Sequence, residues 1–102
     1  MILKRLKLRT AYAEPTNCYI VQDEKTKETM VIDPAGEFNK IDEMLSILEA
    51  KVKYIYITHC HADHIGEVNN VKNKYGGKIL IHRNDALNLD DDDVVLASYM
   101  WE

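Results

Sequence analysis

An α/β fold, a layered β-sheet with helices packed on one face, is predicted by three features of this 102-residue sequence. Runs of β-branched, aromatic and leucine residues crowd its first third. Two later stretches repeat their apolar residues at intervals of three and four. A short apolar run follows each of those stretches. Strands first, then helix and strand in alternation, imply layers, because a helix with one apolar stripe must bury it against a sheet.

The elements follow in order. Residues 1–10 form the first strand, in which Leu3, Leu6 and Leu8 alternate imperfectly with Lys4, Arg5, Lys7 and Arg9, as on the solvated side of a sheet edge. Residues 17–22 (NCYIVQ) form the second. The polar DEKTKE stretch at 23–28 turns the chain into a third strand over 29–33, a hairpin without the tight Asn-Gly signal. Asp33-Pro34-Ala35-Gly36 then breaks the strand. Phe38, Ile41, Met44, Leu45 and Leu48 recur at helical spacing and predict an amphipathic helix from 38 to about 50. Residues 52–58 (VKYIYIT) lack Gly and Pro and read as a strand buried on both faces. Ile65, Val68, Val71 and Tyr75 predict a second helix over 65–75, which Gly76-Gly77 ends as a left-handed cap would. Residues 78–82 (KILIH) form the last strand. No repeat, linker or low-complexity segment interrupts the sequence, so residues 1–102 read as a single domain.

Composition narrows the function. Thirteen basic and seventeen acidic residues give a net charge of −4, and no positive cluster large enough to track a nucleic-acid backbone is present. No apolar run approaches the roughly 18 residues of a membrane helix. The start lacks the uninterrupted apolar core of a secretory signal, so the expected location is cytoplasmic. Cys18 and Cys60 show no CxxC spacing and are far from the density of a disulfide scaffold. Cys18 reads as a small buried hydrophobe. Asp90 to Asp93 lack the alternating ligands and glycine of a calcium loop and read as a solvated turn. Val94, Leu96, Tyr99, Met100 and Trp101 follow as an apolar tail.

The chemistry concentrates in His59-Cys60-His61-Ala62-Asp63-His64, which gathers three of the four histidines and an aspartate into six residues. Imidazole and carboxylate are the donors that zinc takes, and no packing role accounts for this density. Where the strand ends, the extended chain projects His59 and His61 to the same side, so both can grip one ion. Asp63 and His64 lie where the chain turns into the next helix and would face a second. Alternation turns Cys60 away from the ions. A site at the carboxyl end of a strand and the start of a helix matches where open α/β sheets bind ligands.

The sequence THCHADHIGE at 58–67 resembles the signature of the metallo-β-lactamase superfamily of dinuclear metal hydrolases. Thr16-Asn17-Cys18-Tyr19-Ile20-Val21 and Val31-Ile32-Asp33-Pro34-Ala35-Gly36 resemble that family's opening strands, especially in its glyoxalase II-like branch. The likeness runs from about residue 16 to residue 82. It implies the amino-terminal half of the αββα fold, with His59 and His61 on the first metal and Asp63 and His64 on the second. It further implies two zinc ions, with manganese or iron as alternatives, and a metal-activated hydroxide that Asp63 orients as the catalytic residue. The expected substrate is a small-molecule ester or thioester such as an acylglutathione; lactones, phosphodiesters and β-lactams stay open. The family's iron-flavoprotein oxygen reductases carry an acidic residue at the position of His61, so the likeness favours hydrolysis over redox chemistry.

Asp33 has two readings: a turn-former before proline, or, by the resemblance, a group close beneath the metals that orders a ligand histidine. The family completes its sites with a third histidine, a bridging aspartate and a last histidine, none of which is among these residues. His82, the remaining histidine, is not a ligand position in the family. Half of a two-sheet sandwich would leave one sheet face bare, which predicts association with a second copy or with a carboxy-terminal half. A metal-binding but inactive half-domain and a purely structural fragment are the alternatives to a hydrolase.

Overall fold

A computed structural model describes residues 1–10, 15–58 and 66–81. Its elements are β1 (Ile2–Leu8), β2 (Thr16–Gln22), β3 (Glu28–Ile32), α1 (Phe38–Ile47), β4 (Lys51–Ile57), α2 (Val68–Tyr75) and β5 (Lys78–Ile81). The order strand, strand, strand, helix, strand, helix, strand is the predicted one. The five strands form one sheet in sequential order. β1 pairs antiparallel with β2, and β2 with β3, whereas β3, β4 and β5 run parallel. Each parallel step needs a crossover, which α1 and α2 supply. Two crossovers of the same hand advancing in the same direction lay both helices on the same face.

That face holds the core. Ile20, Val31, Ile55 and Ile79 pair in register across β2 to β5 and are all fully buried. Ile41 and Leu45 of α1 and Val68 and Val71 of α2 close over the sheet. Ile41, Leu45, Val68 and Val71 belong to the stripes the spacing predicts; Ile65, which the spacing also placed in the second, lies outside the described residues.

Four local expectations are corrected. β4 is buried on one face only: Val52, Ile55 and Ile57 face the helices, while Tyr54 is 41% exposed and Tyr56 half-buried on the other side. The aromatic residues that made the run look doubly buried belong to the open face. Leu3, 65% exposed, lies on that face as well, with Val21, Met30 and Ile32 half-buried beside it. Among the described residues, no helix or strand covers this sheet face.

The first helix stops at Ile47 rather than near residue 50. Glu49 takes a left-handed φ of 51°, its amide donates to the Ser46 carbonyl at 3.1 Å, and the Ala50 amide donates to that of Leu45 at 3.0 Å. This is a Schellman termination with glutamate at the position glycine usually takes. The sequence carries no glycine there to announce it. The second helix begins at Val68, after a turn at 66–67, and Gly76 ends it with φ 77° and ψ −152°. That backbone has positive φ but is not left-handed helical, and only glycine enters it readily.

The hairpin between β2 and β3 is built by Asp23, whose carboxylate accepts the amides of Lys25 at 2.9 Å and Thr26 at 3.3 Å. Gln22 sits buried on the helix side and donates from Nε2 to the Leu48 carbonyl at 2.9 Å, tying the end of α1 to the sheet. On the outer side, Asp42 of α1 accepts from Lys74 Nζ at 2.8 Å and from the Tyr75 hydroxyl, which joins the two helices. Among the described residues no helix is long and apolar enough to cross a membrane.

Candidate metal centre

β1, β3, β4 and β5 all point the same way, so the segments that leave them gather at one edge of the sheet. The turn at 33–37 follows β3, and Thr58 ends β4. The proposed ligands His59, His61, Asp63 and His64 come immediately after Thr58; together with Cys60 they lie outside the described residues. His82 and Asp90 to Asp93 lie outside them too. Among the described residues, no group of three or more His, Cys, Asp or Glu side chains is arranged to hold a metal.

Asp33 lies among the described residues and sits against Thr58, the residue before the proposed ligands. Its carboxylate is buried, 5% exposed. Oδ1 accepts the Thr58 amide at 2.8 Å and Oδ2 accepts the Thr58 hydroxyl at 2.5 Å. The Asp33 amide donates to the Tyr56 carbonyl at 2.9 Å, extending the β3–β4 ladder by one residue. Its φ of 55° is left-handed, a conformation that aspartate tolerates better than most side chains. Asp33 therefore does turn the chain, and at the same time grips the residue that precedes His59.

Residues that the sequence did not single out complete the frame. Thr58 supplies both donors to Asp33. The Glu67 amide donates to the Pro34 carbonyl at 2.8 Å, so the chain just after the proposed ligands is held by the same turn. Glu37, with a left-handed φ of 46°, accepts the Arg9 amide at 2.9 Å and pairs with Lys40 at 2.6 Å. Lys40 holds the Glu37 carboxyl below the usual range, helped by the Arg9 amide. The only sequence signals for this frame were the Asp-Pro pair and the glycines at 36 and 66.

Cys18 is fully buried in the core, as expected. Burial, with the nearby Asp33 charge adding to it, pushes its thiol up to about 12. The folded state therefore favours the protonated thiol, and this contribution to stability declines as pH rises from about 9, the ordinary value, toward 12. Cys18 is expected to resist iodoacetamide at pH 8 in the native chain and to react in urea; peptide mapping checks this. Prompt native labelling at Cys18 would contradict its placement.

The donor set itself suits zinc, since three imidazoles and a carboxylate within six residues are the chemistry such ions select. Comparison with known proteins agrees. The family profile described as the metallo-beta-lactamase superfamily matches residues 11–100. Over 79 residues the chain is 33% identical to the probable polyketide biosynthesis zinc-dependent hydrolase PksB of Bacillus subtilis, a match that covers 76% of this chain and 35% of that protein. It is 32% identical over 63 residues to the hydroxyacylglutathione hydrolase GloC of Haemophilus influenzae, covering 62% of this chain and 29% of that one. Among solved structures, the BLEG-1 B3 metallo-beta-lactamase superposes with a TM-score of 0.76 at 27% identity, over 88% of this chain and 41% of its own. The chain thus spans about a third of the length of the curated relatives it matches. With the family profile covering most of its residues and the five-stranded sheet superposing on a member's structure, this chain belongs to the metallo-beta-lactamase superfamily.

Proposed function

We propose that this chain carries part of the centre of a zinc-dependent hydrolase acting on a thioester or other ester. The observation that carries the reading is the HxHxDH sequence directly after β4, at the edge where Asp33 grips Thr58. In this reading His59 and His61 hold one ion and Asp63 and His64 a second, with Asp63 also orienting the attacking water. Two ions bound there would polarise an acyl oxygen and make water nucleophilic at neutral pH. The chain's own part is to supply the donors within one short segment and to hold Thr58, Gly66 and Glu67 at its ends. The similarity to a hydroxyacylglutathione hydrolase supports an acylglutathione as first substrate to try. A cytoplasmic setting goes with that substrate.

Two protein ligands per ion fall short of the three that a catalytic zinc has. The remaining donors are proposed to come from outside these residues, and the bare sheet face is where a carboxy-terminal half or a second copy would pack. The second reading, a metal-binding but inactive half-domain, rests on the same shortfall.

Elemental analysis of the purified chain after zinc loading and dialysis, alongside its mass in solution, tests the metal reading. Retained zinc is expected in the native chain, with most of it lost in His59→Ala. Equal zinc in both defeats the assignment. Turnover of an acylglutathione then separates the two readings, and the isolated chain is expected to be slow or inactive. Robust turnover with these 102 residues alone would defeat the view that the centre is shared.

A further inference from the structure

Gly36 lies within the turn that follows β3, and Gly66 packs against the same turn. Neither has positive φ, so backbone conformation does not demand glycine at either position. Space does. A Cβ on Gly66 would stand 2.3 Å from the Ala35 carbonyl oxygen, and one on Gly36 would stand 2.1 Å from that of Arg9. At both places two backbones are in contact.

The same turn makes three attachments to the segment beyond β4. Asp33 accepts from the amide and hydroxyl of Thr58, Pro34 accepts from the Glu67 amide, and Ala35 packs on Gly66. Three consecutive residues thus hold residue 58 on one side and residues 66 and 67 on the other. Those are the two ends of the seven-residue stretch 59–65. A short loop with fixed ends has far fewer conformations to lose when its side chains converge on an ion, so anchoring the ends raises affinity without adding a ligand.

We propose that the turn at 33–35 is a bracket that sets both ends of the ligand segment, and that Gly66 is a positioning residue for metal binding. This rests on the metal reading above. Restoring ordinary contact between an alanine at 66 and the Ala35 carbonyl moves the chains apart by about 1 Å, a displacement large enough to loosen a binding constellation. Gly36→Ala is the matched control. It introduces the same kind of clash, but against Arg9 and Thr10 at the exit of β1, an edge strand, rather than against the segment that follows β4.

Zinc affinity, measured by competition with a chromogenic chelator, is compared with the thermal midpoint of each metal-free protein. Gly66→Ala is expected to bind zinc at least ~10-fold more weakly than the native chain, while Gly36→Ala stays within about 3-fold at a similar loss of midpoint. Native-like affinity in Gly66→Ala, or an equal loss in Gly36→Ala, overturns the bracket but leaves the metal reading standing. A native chain that takes up no zinc removes the metal reading, and the bracket with it. Should Gly66→Ala not fold, amide exchange on the metal-free native chain decides. Thr58 and Glu67 amides are expected to be protected together, about 100-fold or more over the free chain. Glu67 exchanging at the free-chain rate while Ile55 stays protected overturns the proposal.

Discussion

Ile55→Ala is expected to destabilise the chain by about 2 to 5 kcal/mol. Ile55 is fully buried at the middle of the sheet, flanked in register by Val31 of β3 and Ile79 of β5 and covered by the helices. Truncation removes three carbons from a site whose neighbours are strands and helices fixed on every side, so the cavity cannot close. Domains of this size unfold with roughly 5 to 15 kcal/mol, and the loss is a large part of that total. Urea unfolding followed by far-ultraviolet circular dichroism measures it, with an unchanged m-value showing that stability rather than compactness has changed. Tyr54→Ala gives the internal comparison. Tyr54 is the adjacent residue on β4 but lies on the open face, so it is expected to cost less than half as much. Equal losses at the two positions would mean that the open face is covered in solution.

That comparison shows where a sequence pattern stops being informative. The period of α1 and α2 identified the buried residues Ile41, Leu45, Val68 and Val71, because a helix with one covered face repeats its apolar positions regardless of what covers it. β4 offered no such contrast. Val52, Ile55 and Ile57 are apolar because they are buried, and Tyr54 and Tyr56 are aromatic although they are not fully buried. With apolar and aromatic residues alternating along the strand, both of its sides read alike.

Backbone devices were legible where glycine or the Asp-Pro pair performed them. Glu49 and Glu37 both adopt left-handed φ with an ordinary side chain, so the true end of α1 and the left-handed residue just before it carried no mark in the sequence. The surrounding hydrogen bonds hold them there: the Ser46 and Leu45 carbonyls at one end, the Arg9 amide and Lys40 at the other. Likewise, the glycines at 36 and 66 were visible as letters but not as contacts, since a close approach between segments as far apart in sequence as Arg9 and Gly36, or Ala35 and Gly66, is a tertiary fact. For the candidate centre, the donor types and spacing were fully written in residues 59–64, whereas Thr58 as the partner of Asp33 emerges only once β3 and β4 are side by side.

Asp33 had two readings, and two substitutions separate them. Asp33→Ala removes the acceptor for both Thr58 donors, leaves a partly buried amide without that bond, and places alanine at a φ of 55°. A hydrogen bond to a charged group contributes about 1.5 to 3 kcal/mol, and left-handed backbone costs an ordinary residue about 1 kcal/mol more. A loss of about 2 to 4 kcal/mol is therefore expected on urea unfolding. Asp33→Asn keeps the shape, the tolerance for left-handed φ and one carbonyl oxygen for the Thr58 amide, and the Thr58 hydroxyl can rotate to accept from the new amide. Its stability loss should stay below about 1.5 kcal/mol. Charge is what it removes. If Asp33 also orders the ligand segment electrostatically, zinc affinity in Asp33→Asn falls about 10- to 100-fold while the fold persists. If Asp33 only turns the chain, Asp33→Asn binds zinc as the native chain does, and Asp33→Ala weakens binding only in proportion to the stability it loses. The carboxylate's position, 5% exposed and bonded twice to the residue before His59, favours the first outcome, because a turn-former alone has no need to be buried.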